Sequence, residues 1–162
     1  MKSADELLAP FTLKIWVRAD AATLRRAWTR PEEVVRWFVS KCTYFAADGA
    51  EVGQAVAGGT YRWEWMESTT DQSKVIAVDE TTLRFGWYKD KGELEVRFTQ
   101  AGDETLMELT QSMSGGTEEE RIDAQVDCKL GWTFFLANLK SIYEGGLDLR
   151  ETDPERVPVV NY

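Results

Sequence analysis

Hydrophobic and polar side chains alternate along residues 11–18, FTLKIWVR, the first patterned stretch of the chain. A period of two is that of a strand with one face buried, and the buried face here begins at Phe11 and ends at Val17. Trp16 falls on the opposite face, so we expect it to point outward from the sheet.

Two short helices are expected after this strand. The Asp20 side chain can accept hydrogen bonds from free backbone N–H groups and cap a helix that runs to about Trp28. Thr29 and Glu32 then have the spacing of a capping box, and the VVRWF segment that follows is expected to carry the second helix.

The middle of the chain predicts a series of strands. Short turn signals such as Asp48-Gly49 and Lys91-Gly92 separate most of them. Strands joined by turns this short pair antiparallel, because a parallel pair needs a crossover of about a dozen residues. The candidate strands occupy about residues 40–46, 51–55, 58–66, 74–79, 82–88, 92–100 and 104–113.

The spacing then becomes helical. Thr117 and Glu120 form another capping box, and a glycine pair ends the pattern, so a long helix is expected over about residues 117–144. Leu130 and Phe134 fall off its main hydrophobic face and are expected to meet a partner subunit or the tail. That broad face carries Cys128, Trp132, Phe135, Leu136, Leu139, Ile142 and Tyr143.

This order of elements predicts an α+β fold, in which a curved antiparallel sheet of about six or seven strands wraps around the long C-terminal helix. The length favours a single domain over residues 1–162. Within it, the sheet and the two short helices that follow its first strand are expected over residues 10–113. A tail over residues 145–162 is expected to run along the surface or to be loose.

Composition and charge exclude several classes of function. The net charge is −9 and the arginines near residue 30 are interrupted by acidic residues, whereas nucleic-acid binding depends on neutralising phosphates. No nucleic acid is therefore expected as a partner. The chain has no histidine, the commonest general base and metal ligand, and no phosphate-binding glycine loop. We expect no metal and no cofactor.

The chain shows no pattern of membrane insertion or export. No apolar run approaches the roughly 20 residues of a membrane span, and the N-terminal MKSADELLAPF lacks the apolar region of a signal peptide. Cys42 and Cys128 are far apart and lack metal-ligand or redox spacing. The expectation is a cytoplasmic protein with reduced thiols.

The stretch GTYRWEW places Tyr61, Trp63 and Trp65 on one face of a strand. Three such rings bury roughly 450–750 Å², worth ~10 kcal/mol or more, so we expect them to lie against the long helix. One helix about 10 Å wide cannot cover six or seven strands spaced about 4.8 Å apart. The uncovered space predicts a hydrophobic cavity. The alternative is that the rings simply fill the core.

Four segments carry a family resemblance that covers roughly residues 10–150. They are AWTRPEEVVRWF (Ala27 to Phe38), GGTYRWEWM (Gly58 to Met66), VDETTLRFGW (Val78 to Trp87) and GWTFFLANLKSIYEGGLDLR (Gly131 to Arg150). In this order they resemble the START-like superfamily, also called SRPBCC or Bet v 1-like, which has the helix-grip fold. Within it they are most similar to the family of homologues of the activator of heat shock protein 90 ATPase.

The resemblance implies a sheet that grips the C-terminal helix around a hydrophobic cavity. Two departures matter. The segment after Trp65, MESTTDQSK, is shorter than in the family, which should shorten one wall or widen a cavity entrance. Chaperone-activating members resemble two-domain proteins, and because the sheet here begins near Phe11 the separate N-terminal domain is expected to be missing. The residues expected to contact a ligand are Trp37, Phe38, Tyr61, Trp63, Trp65, Phe85, Trp87, Cys128, Trp132, Phe135 and Leu139.

Three functions are compatible with these patterns. The first is non-catalytic binding of a hydrophobic or amphipathic small molecule, favoured by an aromatic content of 12% on presumed inward faces. The second is a protein-interaction role, as a chaperone cofactor or stress-related domain, favoured by the acidic surface and Trp16; a homodimer is compatible with either.

The third is a cyclase-like enzyme. Without histidine, its acid or base would be a buried carboxylate or tyrosine with a shifted pKa. The candidates are Glu64, Glu95, Glu108 and Tyr61. The three carboxylates alternate with hydrophobic positions and are expected to face outward, so no catalytic residue is assigned.

Overall fold

A computed structural model of the chain describes residues 3–66, 69–156 and 159. Within these residues the element order is α1 (Ala4–Leu8), β1 (Phe11–Val17), α2 (Ala21–Thr29), α3 (Pro31–Val34), β2 (Lys41–Phe45), β3 (Glu51–Val52), β4 (Thr60–Glu64), β5 (Thr70–Val78), β6 (Thr82–Trp87), β7 (Gly92–Ala101), β8 (Glu104–Met113) and α4 (Glu118–Tyr143). The α+β helix-grip architecture predicted from the sequence is confirmed.

The described strands form one curved antiparallel sheet in the order β1-β8-β7-β6-β5-β4-β2-β3. It has eight strands, β1 and one from each of the seven candidate segments, whereas about six or seven were expected for the whole sheet; β3 is only two residues long. The strands are not all paired in chain order, since β4 lies beside β2 and not beside β3. Tyr44 is opposite Tyr61 and Cys42 is opposite Trp63, so inward-facing side chains of the two strands are in register.

β5 begins at Thr70, about four residues before the position expected. Its early part keeps the alternation of a strand, but the inward positions carry Asp71 and Ser73, which are only 7% and 3% exposed. Because these first inward residues are polar, a prediction based on hydrophobic alternation places the start of β5 too late in the sequence. The tip of the short loop after Trp65, residues 67–68, lies outside the described residues.

The first two helices begin at side-chain caps. The Asp20 carboxylate accepts from the Thr23 N–H at 2.7 Å, which is the cap predicted for α2. α1 was not expected, because its five residues carry no hydrophobic period long enough to signal it. A capping box between Ser3 and Glu6 starts it, and it lies against α4.

The capping box expected for the next helix does not form. Thr29 is the last residue of α2, where its hydroxyl donates to the Arg25 carbonyl at 2.9 Å, and the N-cap position of α3 falls on Arg30. α3 therefore begins at Pro31 without a side-chain cap. A proline at this position has no N–H that needs a partner and already has a helical φ. The helix is a single turn, and the residues after Val34 continue as turns.

α4 begins at its predicted capping box. The Glu120 N–H donates to Thr117 Oγ1 at 3.2 Å, and the Thr117 N–H donates to the Glu120 carboxylate at 2.8 Å. Trp132, Leu136 and Leu139 form the buried part of its inner face and join the core of the sheet. The helical spacing predicted this contact correctly.

The first part of the C-terminal tail is tied to the body of the protein. Oδ1 of Asn138 on α4 accepts from the Leu149 N–H at 2.7 Å. The Arg150 guanidinium donates three hydrogen bonds of 2.9–3.2 Å to backbone carbonyls around α3. The acceptors are Val35, Arg36 and Val39. Of the two arrangements expected for the tail, a surface strap or a loose segment, these residues adopt the first. Residues 157–158 and 160–162 lie outside the described residues.

Candidate functional site

The inward rings of β4 are packed into the core. Tyr61 and Trp63 are fully buried, and their ring centroids lie 3.9 Å apart. Phe85 of β6 adds a third ring at 5.5 Å from Trp63. For these residues the alternative stated above holds: the rings fill the core and do not line a cavity.

The residues expected to contact a ligand separate into three groups. Six lie in the core and border neither of the two cavities described below: Trp37, Tyr61, Trp63, Phe85, Trp132 and Leu139. Four line a large cavity: Trp65, Trp87, Cys128 and Phe135. Phe38 borders a smaller cavity of about 220 Å³, which Trp65 also borders.

The large cavity has a volume of about 1010 Å³ and is open to solvent. Trp65 and Trp87 form its sheet side, with ring centroids 6.4 Å apart in an edge-to-face arrangement. The α4 side consists of Cys128, Phe134 and Phe135, among others. The cavity therefore lies between the end of β4, the turn after β6 and the middle of α4.

Residues of α4 that fall off its buried face border this cavity. Leu130, which is 69% exposed, and Phe134 lie on the wall, and Val159 of the tail lies there too. That Leu130 and Phe134 meet the tail or a partner subunit stays a prediction. Gly131 lies between them, and a Cβ added to it would have no atom within 4 Å. The helix leaves open space at this point.

A buried carboxylate forms the polar end of the cavity. Oδ2 of Asp71 accepts from the Tyr61 hydroxyl at 2.6 Å and from the Tyr88 N–H at 3.2 Å, and Oδ1 accepts from the Lys89 N–H at 2.7 Å. Burial, and secondarily the charge of Asp71, raise the pKa of Tyr61, so its hydroxyl stays a donor. The carboxylate is thus occupied by three protein donors.

These hydrogen bonds hold an unusual turn at the cavity rim. Tyr88, Lys89 and Asp90 have φ values of 54°, 55° and 62°, in the left-handed region that costs a non-glycine residue roughly 1–2 kcal/mol. The Ser73 hydroxyl donates to the Asp90 carboxylate and provides a further tie. Gly86 is required beside them, because a Cβ there would collide with the Ser73 hydroxyl.

A chain of buried amides connects α4 to the sheet next to the cavity. Trp132 Nε1 donates to Oε1 of Gln111 at 3.0 Å, and Gln111 Nε2 donates to Oε1 of Gln125 at 3.0 Å. Gln125 Nε2 then donates to the Ala9 carbonyl at 2.9 Å. Every member is hydrogen-bonded to the next, which fixes the position of α4 relative to β8.

The indole N–H of Trp87 is buried without a hydrogen-bond partner among the described residues. Trp87 as a whole is 7% exposed. Burial is the main cause of a raised pKa at the Cys128 thiol, and the side chains of Trp87 and Gln111 act in the opposite direction. Trp87 and Cys128 are therefore neighbours, although they do not meet hydrogen-bond geometry.

Charged groups lie at the outer edge of the site. Lys91 is 3.9 Å from the Glu120 carboxylate, and its neighbour Lys89 makes no ion pair within the described residues. Burial raises the pKa of Tyr88, and so do negative groups on α4, including Asp127 and Glu120. Positive and negative charges thus mix at the rim, while the interior walls are mainly aromatic.

The carboxylates proposed as enzymatic candidates lie elsewhere. Glu64 is 3.7 Å from Lys41, and the Glu95 carboxylate is 2.7 Å from Arg97. Glu108 pairs with Lys14 at 2.6 Å across β1 and β8 (both ends of this bond lie on the sheet surface). None of the three borders either cavity.

The described part of the chain offers no grouping of three His, Cys, Asp or Glu side chains that could hold a metal ion. No described helix is long and apolar enough to cross a bilayer.

Sequence reasoning missed Asp71 and the α4 residues at the cavity wall. Asp71 could have been found by extending the alternation of Val75 back through Ser73, two residues at a time. Phe134 was noticed only as a residue off the main stripe. No sequence signal marks it as a cavity wall, because that depends on how α4 packs against segments distant in the chain.

Comparisons with known proteins bear on this architecture. Residues 18–144 match the family model described as "Activator of Hsp90 ATPase homolog 1-like protein". No curated protein matches the chain.

The solved structures that share the fold include the following three. Protein SSP2350 from Staphylococcus saprophyticus is 17% identical with a TM-score of 0.70, covering 89% of this chain and 98% of its own. The Aha1 dimer from Colwellia psychrerythraea, solved in solution, is 18% identical with a TM-score of 0.69, covering 85% and 98%. CalU16 from Micromonospora echinospora is 20% identical with a TM-score of 0.61, covering 79% and 71%. At these identities the similarity establishes the fold.

Proposed function

The chain belongs to the family of Activator of Hsp90 ATPase homolog 1-like proteins, and on that premise we propose that it binds a hydrophobic or amphipathic small molecule, without catalysis, in the large cavity between α4 and the sheet. The main support for this proposal is the presence of the cavity. Its volume of about 1010 Å³ is at the upper end of the roughly 300–1,000 Å³ common for small-ligand pockets.

The lining agrees with an apolar ligand. Rings of Trp65, Trp87 and Phe135 form opposite walls. Removing such surface from water is worth about 25 cal/mol per Å², so filling the cavity is favourable for a molecule of matching size. The open side gives a path of entry without unfolding.

The same geometry favours binding over catalysis. Asp71 is the buried carboxylate of the site, and its oxygens already accept three hydrogen bonds from the protein. Such a group holds the rim turn in place. The proposal therefore assigns Asp71 a structural role and names no catalytic residue.

The test combines a ligand panel with a variant that occupies the cavity from within. Native mass spectrometry of the protein with lipids and aromatic metabolites detects binding, and Gly131→Phe has open space for its ring at the cavity wall. We expect binding by the wild type and by Gly131→Ala, and at least a tenfold loss in Gly131→Phe. Equal binding by all three proteins would mean that the ligand binds outside this cavity and would contradict the proposal.

A second candidate is a contact with a protein partner, either a chaperone or another copy of this chain. Trp16 is 47% exposed on β1, an edge strand of the described sheet, and a large exposed ring is common at interfaces. The Aha1 dimer among the similar structures supports the same idea. Sedimentation of the wild type and of Trp16→Ser tests for a dimer, and ATPase assays with a chaperone test the other partner. A monomer that leaves the ATPase rate unchanged would argue against this candidate.

A further inference from the structure

Two lysines in the wall of the large cavity have no close acidic partner. Lys89 makes no ion pair within the described residues, and Lys91 Nζ is 3.9 Å from Oε1 of Glu120, which is beyond hydrogen-bond distance. By contrast, the ammonium groups of Lys14 and Lys140 each lie 2.6 Å from a glutamate oxygen. The donors of both cavity lysines are therefore left unoccupied by the described part of the chain.

The backbone holds both lysines at the cavity. Oδ1 of Asp71 accepts from the Lys89 N–H at 2.7 Å and keeps this residue in the left-handed turn. The Lys91 carbonyl accepts from the N–H groups of Ser114 and Gly115 at 2.8 Å and 2.9 Å. A Cβ added to Gly115 would lie 3.2–3.3 Å from the first carbon atoms of Lys91, so the base of that side chain packs against the glycine. Both ammonium groups thus extend from fixed points of the wall.

The wall carries more positive than negative charge. Asp71 is the single acidic residue among the described residues that line the cavity. Its oxygens already accept from the Tyr61 hydroxyl and from two N–H groups of the rim turn. The protein as a whole has a net charge of −9, so two lysines beside one acidic residue make this wall unlike the chain in general.

Four acidic side chains near the rim oppose this positive charge without bordering the cavity: Asp90, Glu120, Asp123 and Asp127. Burial raises the pKa of Tyr88 first, and the last three of these charges raise it further. The Asp90 carboxylate accepts from the Ser73 hydroxyl. These groups weaken the attraction of the wall for an anion, but a molecule inside the cavity contacts the lysines and not the four acids.

We propose that the cavity binds an amphipathic carboxylate, whose apolar part lies between the aromatic walls and whose negative group pairs with Lys89 and Lys91. The inference rests on the proposed function and specifies its ligand class. A positive group in the cavity would meet two ammonium groups, while Asp71 is already hydrogen-bonded to three protein donors. A neutral group would leave the lysines without a counter-charge.

Three fluorescent compounds separate the effect of charge from hydrophobic filling. Pyrenebutanoate, pyrenebutanol and pyrenebutylammonium share the pyrene ring and alkyl chain, and at neutral pH the chain ends in a negative, a neutral or a positive group. Fluorescence anisotropy measures the affinity of the wild type for each. We expect pyrenebutanoate to bind about threefold to tenfold more tightly than pyrenebutanol, because partly exposed ion pairs are weak, and the cation to bind least tightly. A cation that binds more tightly than the alcohol would overturn the inference, since the acids near the rim would then dominate.

Two double variants remove the same charge from different places. Lys89→Gln with Lys91→Gln removes both lysines of the wall, and Lys41→Gln with Lys74→Gln removes two from exposed positions of β2 and β5 that border neither cavity. The cavity variant should bind pyrenebutanoate and pyrenebutanol equally within about twofold, with its pyrenebutanol affinity unchanged to the same degree, which shows that the cavity is intact. The control should keep the wild-type preference. A preference that survives in the cavity variant, or is lost equally in the control, would overturn the inference.

Salt tests the same ion pairs in the wild type alone. Lys89 is exposed and Lys91 is partly exposed, so salt screens their attraction for an anion, whereas it acts alike on the apolar part that the compounds share. The preference for pyrenebutanoate over pyrenebutanol should disappear at about 1 M sodium chloride, and a preference that does not change would contradict the inference. Equal binding of all three compounds at low salt would contradict it while supporting the proposed function. Binding of none of them would contradict both for aromatic amphiphiles of this size.

Discussion

The Tyr61 hydroxyl donates to Oδ2 of Asp71 across 2.6 Å, which ties a core ring of β4 to the polar end of the large cavity. The same hydroxyl lies 2.8 Å from the Gly86 carbonyl. Because Asp71 also accepts the Tyr88 and Lys89 N–H groups, a single carboxylate joins the core to the left-handed rim turn. Core packing and cavity shape are thus coupled through this pair.

Replacing Asp71 by alanine should destabilise the protein by about 2–4 kcal/mol, since it leaves the Tyr88 and Lys89 N–H groups without this acceptor and the Tyr61 hydroxyl with the Gly86 carbonyl alone. Tyr61→Phe removes only one donor and should cost about 1 kcal/mol. Urea unfolding measures both. Asp48→Ala is the control, because that carboxylate accepts one backbone N–H in an exposed turn. A loss for Asp71→Ala no larger than for the control would contradict the role given to this carboxylate.

Trp63 and Trp65 stand two residues apart and should respond differently to truncation. Trp63→Ala should cost roughly 3–5 kcal/mol, because the ring is fully buried among other rings. Trp65 is half-buried and already borders both cavities, so its alanine variant should cost roughly 1–2 kcal/mol. Thermal and urea unfolding of the two variants decide this. Equal losses would mean that Trp65 is as firmly packed as Trp63.

Gly131→Ala should raise the free energy of unfolding by about 0.5–1 kcal/mol, because glycine in the middle of a helix is less favourable than alanine by that amount. The added methyl group meets no atom within 4 Å. Gly86→Ala is the matched control within a strand: there the new methyl group collides with Ser73, and a loss of stability is expected. Destabilisation by Gly131→Ala would show that the open space beside α4 is filled.

Tyr143→Phe should destabilise the contact between α4 and α3 in a pH-dependent way. The Glu33 carboxylate accepts from the Tyr143 hydroxyl at 2.6 Å and from Arg36 at 2.7 Å. Burial raises the pKa of Glu33, but these two hydrogen bonds outweigh it and hold the pKa below its usual range. A lowered pKa in the folded state means a stabilisation that is present above the unfolded pKa, about 4.3, and lost as the pH falls through the folded value.

The cost of Tyr143→Phe should therefore be about 1–2 kcal/mol at neutral pH and smaller near pH 3. Urea unfolding at both pH values measures it. Tyr88→Phe is the control, since Tyr88 is 44% exposed and its hydroxyl makes no hydrogen bond within the described residues. A cost for Tyr143→Phe that does not change with pH would assign the loss to packing of the ring alone.

The sequence by itself determined the class of fold, the order of the main elements and the family. These follow from local signals: the alternation in β1, the capping box of Thr117 and Glu120, and the helical stripe through Trp132 are each set within a few residues. The family resemblance uses the same segments. Local hydrogen bonding and burial on one face decide such features, so they can be predicted without a structure.

Only the tertiary structure decided which rings fill the core and which form a cavity wall. Tyr61, Trp63 and Trp65 have the same alternation, but β4 ends at Glu64, and Trp65 lies beyond the strand and borders the large cavity. The inward position of Asp71 likewise depends on tertiary contacts: on the pairing of β5 with β4 and on the turn at Tyr88 and Lys89. Burial at these positions is set by contacts between segments far apart in the chain. The spacing of hydrophobic residues within one segment carries no information about how closely another segment packs against it.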